Sequence, residues 1–158
     1  MAQSTLPTRK RTGFSLVEIV ITMFILSVLV SMAALAFRGS LDHSHLQNAA
    51  DRFSADLRLV RDQARRDQQS YTFLITPANL SYHAPGVSML HSPADISVCL
   101  ADSPYKITAL SLTQIQGATT ITFDAYGRAT PAGTIDLMRG PQKIGIQINR
   151  GGKVEQVK

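Results

Sequence analysis

Between Phe14 and Phe37 the chain reads FSLVEIVITMFILSVLVSMAALAF, a run with neither Pro nor Gly and one charge, Glu18. A carboxylate inside an apolar run of this length costs several kcal/mol in a bilayer and marks a functional residue that needs a cationic partner. The plainer reading is an interfacial carboxylate beside the positive N-terminal end of a helix. The other residues able to do chemistry are scattered. His43 and His45 stand at i and i+2, on different sides of a helix, and make a poor metal pair. His83 and His91 have no acidic or cysteine neighbour at ligand spacing, and Cys99 is the single cysteine of the chain. In the alternating Ile96-Ser97-Val98-Cys99-Leu100 that cysteine reads as a strand residue near the core, with an intermolecular bridge as the alternative. There is no G-x-S-x-G, no Gly-rich phosphate loop, no H-E-x-x-H and no C-x-x-C. No catalytic residue, metal or cofactor is expected.

The elements that position Glu18 follow from length and charge. As a helix at 1.5 Å per residue the run Phe14–Phe37 reaches about 36 Å, enough for a hydrocarbon core of about 30 Å. The rest of a 158-residue chain is too short to cover such a helix on every face, so a buried soluble helix is set aside. Arg9, Lys10 and Arg11 precede the run and only Arg38 stands directly after it, which puts the N-terminus in the cytoplasm and the remainder outside. The formal charge of +5 owes much to those three cations: beyond residue 13 the balance is 13 basic against 11 acidic residues. A cleaved secretory signal is the competing reading, with Ala34-Leu35-Ala36 as its A-x-A site. The apolar run before Ala34 is longer than a typical signal, and a disposable signal has no use for Glu18.

Downstream the period changes. Leu46, Ala50, Phe53, Leu57, Val60 and Ala64 recur at steps of four and three, one face of a helix running to about Arg66. Asp51, Arg52, Asp56, Arg58, Arg61, Asp62, Arg65, Arg66 and Asp67 fall between them as a solvated face of mixed sign. Arg38-Gly39-Ser40 marks an expected bend. From Tyr71 onward YTFLIT, NLSYHA, DISVCL, YKITALSL, TTITFDAYGRAT, GTIDLM, KIGIQINR and GKVEQV predict seven or eight strands. The breaks fall at Pro77-Ala78-Asn79, Pro85-Gly86, Ser103-Pro104, Gly117, Pro131-Ala132-Gly133, Gly140-Pro141 and Gly151-Gly152. The expected fold class is α+β: a long N-terminal transmembrane and amphipathic helix whose outer half packs on a C-terminal antiparallel β-sheet domain.

The stretch Arg11-Thr12-Gly13-Phe14-Ser15-Leu16-Val17-Glu18 combines a short basic leader ending in Gly, an aromatic start to the apolar run and Glu as its fifth residue. It resembles the leader and N-methylation motif of type IV pilins and of the pseudopilins of type II secretion. The resemblance implies cleavage after Gly13 on the cytoplasmic side and methylation of the new Phe14 amine, with a prepilin peptidase/methyltransferase as partner. It also implies that Glu18 meets the cationic Phe14 amine of a neighbouring subunit, so that a buried charge sets register in a fibre. Phe53 to Asp67, Ile121 to Arg128, and Gly151-Gly152-Lys153-Val154 are similar to the GspH/FimT family, which includes minor pseudopilin H and related minor pilins. Relatives often carry a proline where this chain has Leu35. Asp124-Ala125-Tyr126-Gly127, taken alone, is a hairpin turn with Gly in the left-handed position.

The expected organisation is therefore a cleaved leader over 1–13, a transmembrane and assembly helix over 14–37, and a periplasmic pilin-like domain over 38–158. The expected function is that of a minor pseudopilin, a structural subunit of the type II secretion pseudopilus anchored in the bacterial inner membrane before joining the fibre. Its partners would be other pseudopilins or pilins and membrane lipid. The alternative is a type IV minor pilin in pilus assembly or DNA uptake. From Arg128 to Lys158 six cations (Arg128, Arg139, Lys143, Arg150, Lys153, Lys158) face Asp136 and Glu155, a patch able to meet phosphates, with Arg150 and Lys153 at its centre. DNA-binding relatives carry Gly-Arg-x-Arg near the C-terminus, whereas this chain has Gly152-Lys153-Val154-Glu155. An acid at the last basic position argues against DNA as a partner.

Overall fold

The computed structural model describes residues 15–88, 95–113 and 119–157, with the side chains of 33–38 and 88 outside the description. Helix α1 spans Leu16–Asp67. The chain divides into two compact units, Met1–Arg38 and Gly39–Lys158. The division falls where a bend was expected, yet residues 38–40 are helical and do not end the element.

Among the described residues of the second unit, nine strands form two antiparallel sheets. The first has the order β3 (Asp95–Cys99), β2 (Ser81–Ser88), β1 (Tyr71–Thr76), β5 (Thr120–Phe123), β6 (Ala129–Thr130). The second has the order β4 (Ala109–Thr113), β7 (Gly133–Arg139), β8 (Gln142–Ile148), β9 (Val154–Val157). The predicted helical stripe is the core face: Leu46, Ala50, Phe53, Leu57, Val60 and Ala64 are all within 1% of complete burial. Alternation in the strands supplies the opposing wall, with Phe73 and Ile75 inward on β1 and Ile144, Ile146 and Ile148 inward on β8. Phe53 meets Phe73 and Tyr82 edge-on at centroid distances of 5.3 and 4.9 Å, geometry that adds about 0.5–1.5 kcal/mol per pair beyond area burial.

Several expectations need correction. The run TTITFDAYGRAT is two strands, β5 and β6, rather than one, and the Asp124–Gly127 hairpin turn read from the sequence is what separates them. YKITALSL is extended only from Ala109, after a turn in which Lys106 has φ 50°. Pro85-Gly86 lies inside β2, because a register shift between Ala84 and Ser88 absorbs it as a bulge. There Gly86, at φ 76°, donates its N–H to Asp95 Oδ1 at 3.0 Å, a side-chain acceptor in place of a ladder carbonyl. Cys99 is exposed at the end of β3, since Ile96 and Leu100 take the inward positions of the alternation.

Asp56 is the exception to the solvated helix face. It is 4% exposed and accepts from the Tyr82 hydroxyl at 2.6 Å and from Arg52 Nε at 2.9 Å. Burial, reinforced by the adjacent Asp56 charge, pushes the Tyr82 phenol above its ordinary range. Tyr82 is thus held as the neutral donor the carboxylate needs.

Candidate functional site

Two regions hold the residues singled out from the sequence. In the first, Gly13 and Phe14 lie outside the described residues. Glu18 occupies the first turn of α1 and is exposed. Around it the apolar side chains are uncovered: Leu16 is 77% exposed, Phe24 70% and Val28, the most covered of the large ones, 41%. Polar groups of this stretch are satisfied within the helix, Thr22 Oγ1 donating to the Ile19 carbonyl at 2.9 Å and Ser27 Oγ to that of Phe24 at 2.8 Å. Among the described residues no helix is long and apolar enough to cross a membrane. The described side chains of the apolar run end at Met32, so the run read from sequence extends beyond them on both sides.

The second region is the C-terminal basic stretch, which the fold divides. Arg139 Nε contacts Asp42 Oδ1 at 2.8 Å, and Lys143 Nζ contacts the buried Asp136 Oδ2 at 3.0 Å, where Thr113 Oγ1 also donates at 2.7 Å. These two cations are structural partners and leave the expected patch. Lys158 lies outside the described residues. Arg128, Arg150 and Lys153 come together instead, because the Ala129 N–H donates to the Arg150 carbonyl at 3.3 Å and joins the β5–β6 turn to the β8–β9 turn. Lys153 Nζ is ion-paired with Glu155.

Helix α1 contributes what the sequence reading missed. Arg58 Nη2 donates to the Val154 carbonyl at 3.1 Å and Arg61 Nη1 to that of Gly152 at 3.2 Å. Both turns rest on glycines that no other residue can replace without movement. A Cβ on Gly127 (φ 78°) would stand 2.6 Å from Arg65 Cδ, and one on Gly152 (φ 75°) only 1.8 Å from the Gly127 carbonyl oxygen. The signal was available in the i, i+3, i+7 spacing of Arg58, Arg61 and Arg65, which shares one helix face. The Asp124 carboxyl lies below its ordinary value, chiefly through the Arg128 N–H, which donates to Oδ1 at 2.8 Å as the Tyr126 N–H does at 2.9 Å.

His43 is exposed and His45 half-buried, and among the described residues no three His, Cys, Asp or Glu side chains converge to hold a metal ion. What the geometry offers is an exposed apolar helical stretch with a carboxylate at its start, and a rigid basic surface on a helix-and-two-sheet body.

A long N-terminal helix with antiparallel sheets packed on its second part defines the pilin-like class. Over about 72% of this chain and 96% of the other, the fold is similar to that of the minor pseudopilin EpsH from the type 2 secretion system of Vibrio cholerae, at a TM-score of 0.56 and 13% identity. It is likewise similar to the type IV minor pilin FimU of Pseudomonas aeruginosa PAO1, at 0.54 and 15% identity, over 73% of this chain and 90% of that one. Residues 49–152 match the family Type II transport protein GspH, and residues 8–34 match the prokaryotic N-terminal methylation motif. A protein of Xanthomonas campestris pv. campestris named Type II secretion system protein H is 32% identical over 129 residues, 82% of this chain and 72% of that protein. The chain belongs to the GspH family.

Proposed function

We propose that this chain works as a minor pseudopilin, a structural subunit of the type II secretion pseudopilus supporting protein export across the outer membrane, with no catalysis of its own. The observation that carries the reading is the presence in one chain of the N-terminal methylation motif over 8–34 and the GspH match over 49–152. The fold is as close to a type IV minor pilin as to a pseudopilin. The 32% identity to a protein named for type II secretion favours secretion over pilus assembly.

In this reading prepilin peptidase cleaves after Gly13, the Phe14 amine is methylated, and the mature helix over 14–37 is retained. It holds the chain in the bacterial inner membrane with residues 38–158 in the periplasm. The exposed apolar side chains from Leu16 to Met32 support this, since they need either lipid or neighbouring helices as cover. Glu18 then has two environments: the membrane interface before assembly, and the Phe14 amine of a neighbouring subunit within the fibre. A carboxylate whose cationic partner arrives only with the next subunit favours recruitment over isolation.

The test is intact mass and N-terminal sequencing of the processed chain, followed by cross-linking of Glu18→Val to other pseudopilins as the only copy in the cell. The expected results are a mature chain starting at methylated Phe14 and a variant that is inserted and cleaved but does not co-assemble. A chain starting at Phe37 would establish a secretory signal instead. Wild-type co-assembly and secretion by Glu18→Val would overturn the role given to its carboxylate.

A further inference from the structure

Three segments distant in sequence meet on one surface of the second unit: the last turns of α1, the β5–β6 turn and the β8–β9 turn. Their backbones interlock. Gly127 lies against Arg65 and Arg61, and Gly152 lies against both Arg61 and the Gly127 carbonyl. The Arg61 guanidinium bonds the Gly152 carbonyl, and the Ala129 N–H bonds that of Arg150. The seat is therefore held by the Arg61 and Arg65 side-chain stems packed on the two glycines together with the backbone bond between the turns, and the Arg65 guanidinium and the Arg66 and Arg150 side chains lie outside those contacts.

Of the six cations gathered there, three are already compensated. Arg61 engages Asp62 Oδ1 through two nitrogens at 2.9 and 2.7 Å, Arg128 engages Asp124 at 3.1 Å, and Lys153 engages Glu155. Arg65, Arg66 and Arg150 are exposed, and among the described residues their guanidinium groups have no hydrogen bond or ion pair. Asp62, Arg65 and Arg66 line an open pocket between them. Beside this group Tyr126 projects from its turn 75% exposed, with the Arg128 guanidinium 5.0 Å from the ring centroid. An arginine-held aromatic ring is costly to leave in water and is the side-chain chemistry enriched at the centre of protein contacts.

We propose that this surface docks a short acidic segment of a partner protein, whose carboxylates pair with Arg65, Arg66 and Arg150 while its apolar part covers Tyr126. Guanidinium groups take carboxylates in paired hydrogen bonds, which gives such a contact orientation as well as attraction. The interleaved acids select a peptide over a nucleic acid. Duplex DNA carries a charge about every 1.7 Å of its axis, so its backbone must run across Asp62, Asp124 and Glu155. A short peptide has only a few carboxylates and can set them over the Arg65, Arg66 and Arg150 guanidinium groups while turning them from Asp62, which shares the pocket, and from Asp67, the neighbour of Arg66. The surface is formed within one chain, and the proposal does not depend on the secretion reading.

The full chain in detergent micelles, at about 0.15 M salt where long-range attraction is screened, is titrated against fluorescein-labelled hexaglutamate and, separately, a labelled DNA duplex, with anisotropy as readout. Saturable binding of the peptide is expected, tighter than that of the duplex. Arg66→Glu and Arg150→Glu should each weaken it by about tenfold, and Tyr126→Ala by a smaller factor, with thermal melting unchanged. Lys106→Glu makes the same change in net charge away from this surface and should alter binding by less than about twofold. The proposal is overturned by absent or non-saturable peptide binding, or by equal losses in Lys106→Glu and Arg66→Glu. Tighter duplex binding that Arg66→Glu and Arg150→Glu abolish would overturn it in favour of a nucleic-acid surface.

Discussion

Leu16–Met32 and Leu46–Ala64 belong to the same helix and are both rich in apolar side chains, yet their burial is opposite. In the second stretch polar residues interrupt the run at helical period, and one stripe is sealed to within 1% while the polar residues meet solvent, β9 or, for Asp56, the Tyr82 hydroxyl on β2. In the first stretch apolar residues go all round, and the large ones remain 41–77% exposed. Hydrophobicity by itself does not decide burial. A periodic interruption marks a helix that its own chain can cover, whereas uninterrupted apolarity marks one whose cover comes from outside the chain.

Breaking this comparison at its strongest point means disturbing the body that covers the second stretch. Gly152→Ala places a methyl group where the Gly127 carbonyl oxygen stands and holds a non-glycine residue at φ 75°. A loss of at least about 3 kcal/mol is expected, seen as loss of cooperative melting by circular dichroism. The direct contrast is Phe53→Ala against Phe24→Ala. Phe53 is completely buried among Phe73 and Tyr82, and its truncation should cost about 3–5 kcal/mol in chemical denaturation of the detergent-solubilised chain. Phe24 is 70% exposed, so Phe24→Ala should stay within about 0.5 kcal/mol in the same experiment. Equal losses would show that the two stretches are stabilised alike and would end the comparison.

A sharper probe concerns the polar group inside the buried stretch. Tyr82→Phe keeps the ring but withdraws the hydroxyl from Asp56, which should cost about 1–3 kcal/mol in the same denaturation measurement. The smallest effect belongs to acid. Asp124 titrates below its ordinary value of 3.8 in the folded chain, so its contribution is complete above that pH and fades as pH falls through the depressed folded value. Melting temperature should therefore decline slightly below pH 3.8, and Asp124→Asn should remove that part of the decline. Asp67 moves in the same direction, mainly through the Tyr71 hydroxyl that donates to it, and Tyr71→Phe tests it separately.

The helical stripe was legible because six residues at steps of four and three leave one way to bury them together. The β5–β6 turn was legible for an equally local reason: Asp124 caps the N–H groups of Tyr126 and Arg128, and Gly127 takes the left-handed position. Asp56 was not, since its charge pattern matches that of its solvated neighbours and its hydroxyl partner is 26 residues away. Cys99 was misplaced because its own apolar character was weighed above the alternation, which sets it with Asp95 and Ser97 on the outward side, opposite Ile96, Val98 and Leu100. Pro85-Gly86 has turn composition, and only the pairing of β2 with β3 turns it into a bulge.

The chain's own order of residues determined the basic leader, the apolar run with Glu18, the amphipathic stripe and the succession of short strands, because each depends on neighbours within a few positions. The tertiary structure decided which cations stand together. Arg139 and Lys143 were drawn to Asp42 and Asp136, while Arg61 and Arg65 were brought from the helix to turns that lie far along the chain, the Arg61–Gly152 bond alone spanning 91 residues. The spacing of Arg58, Arg61 and Arg65 puts them on one helix face, but no charge period predicts which distant turns such meetings involve. They follow from how the sheets close over the helix and from two glycines small enough to let the turns touch.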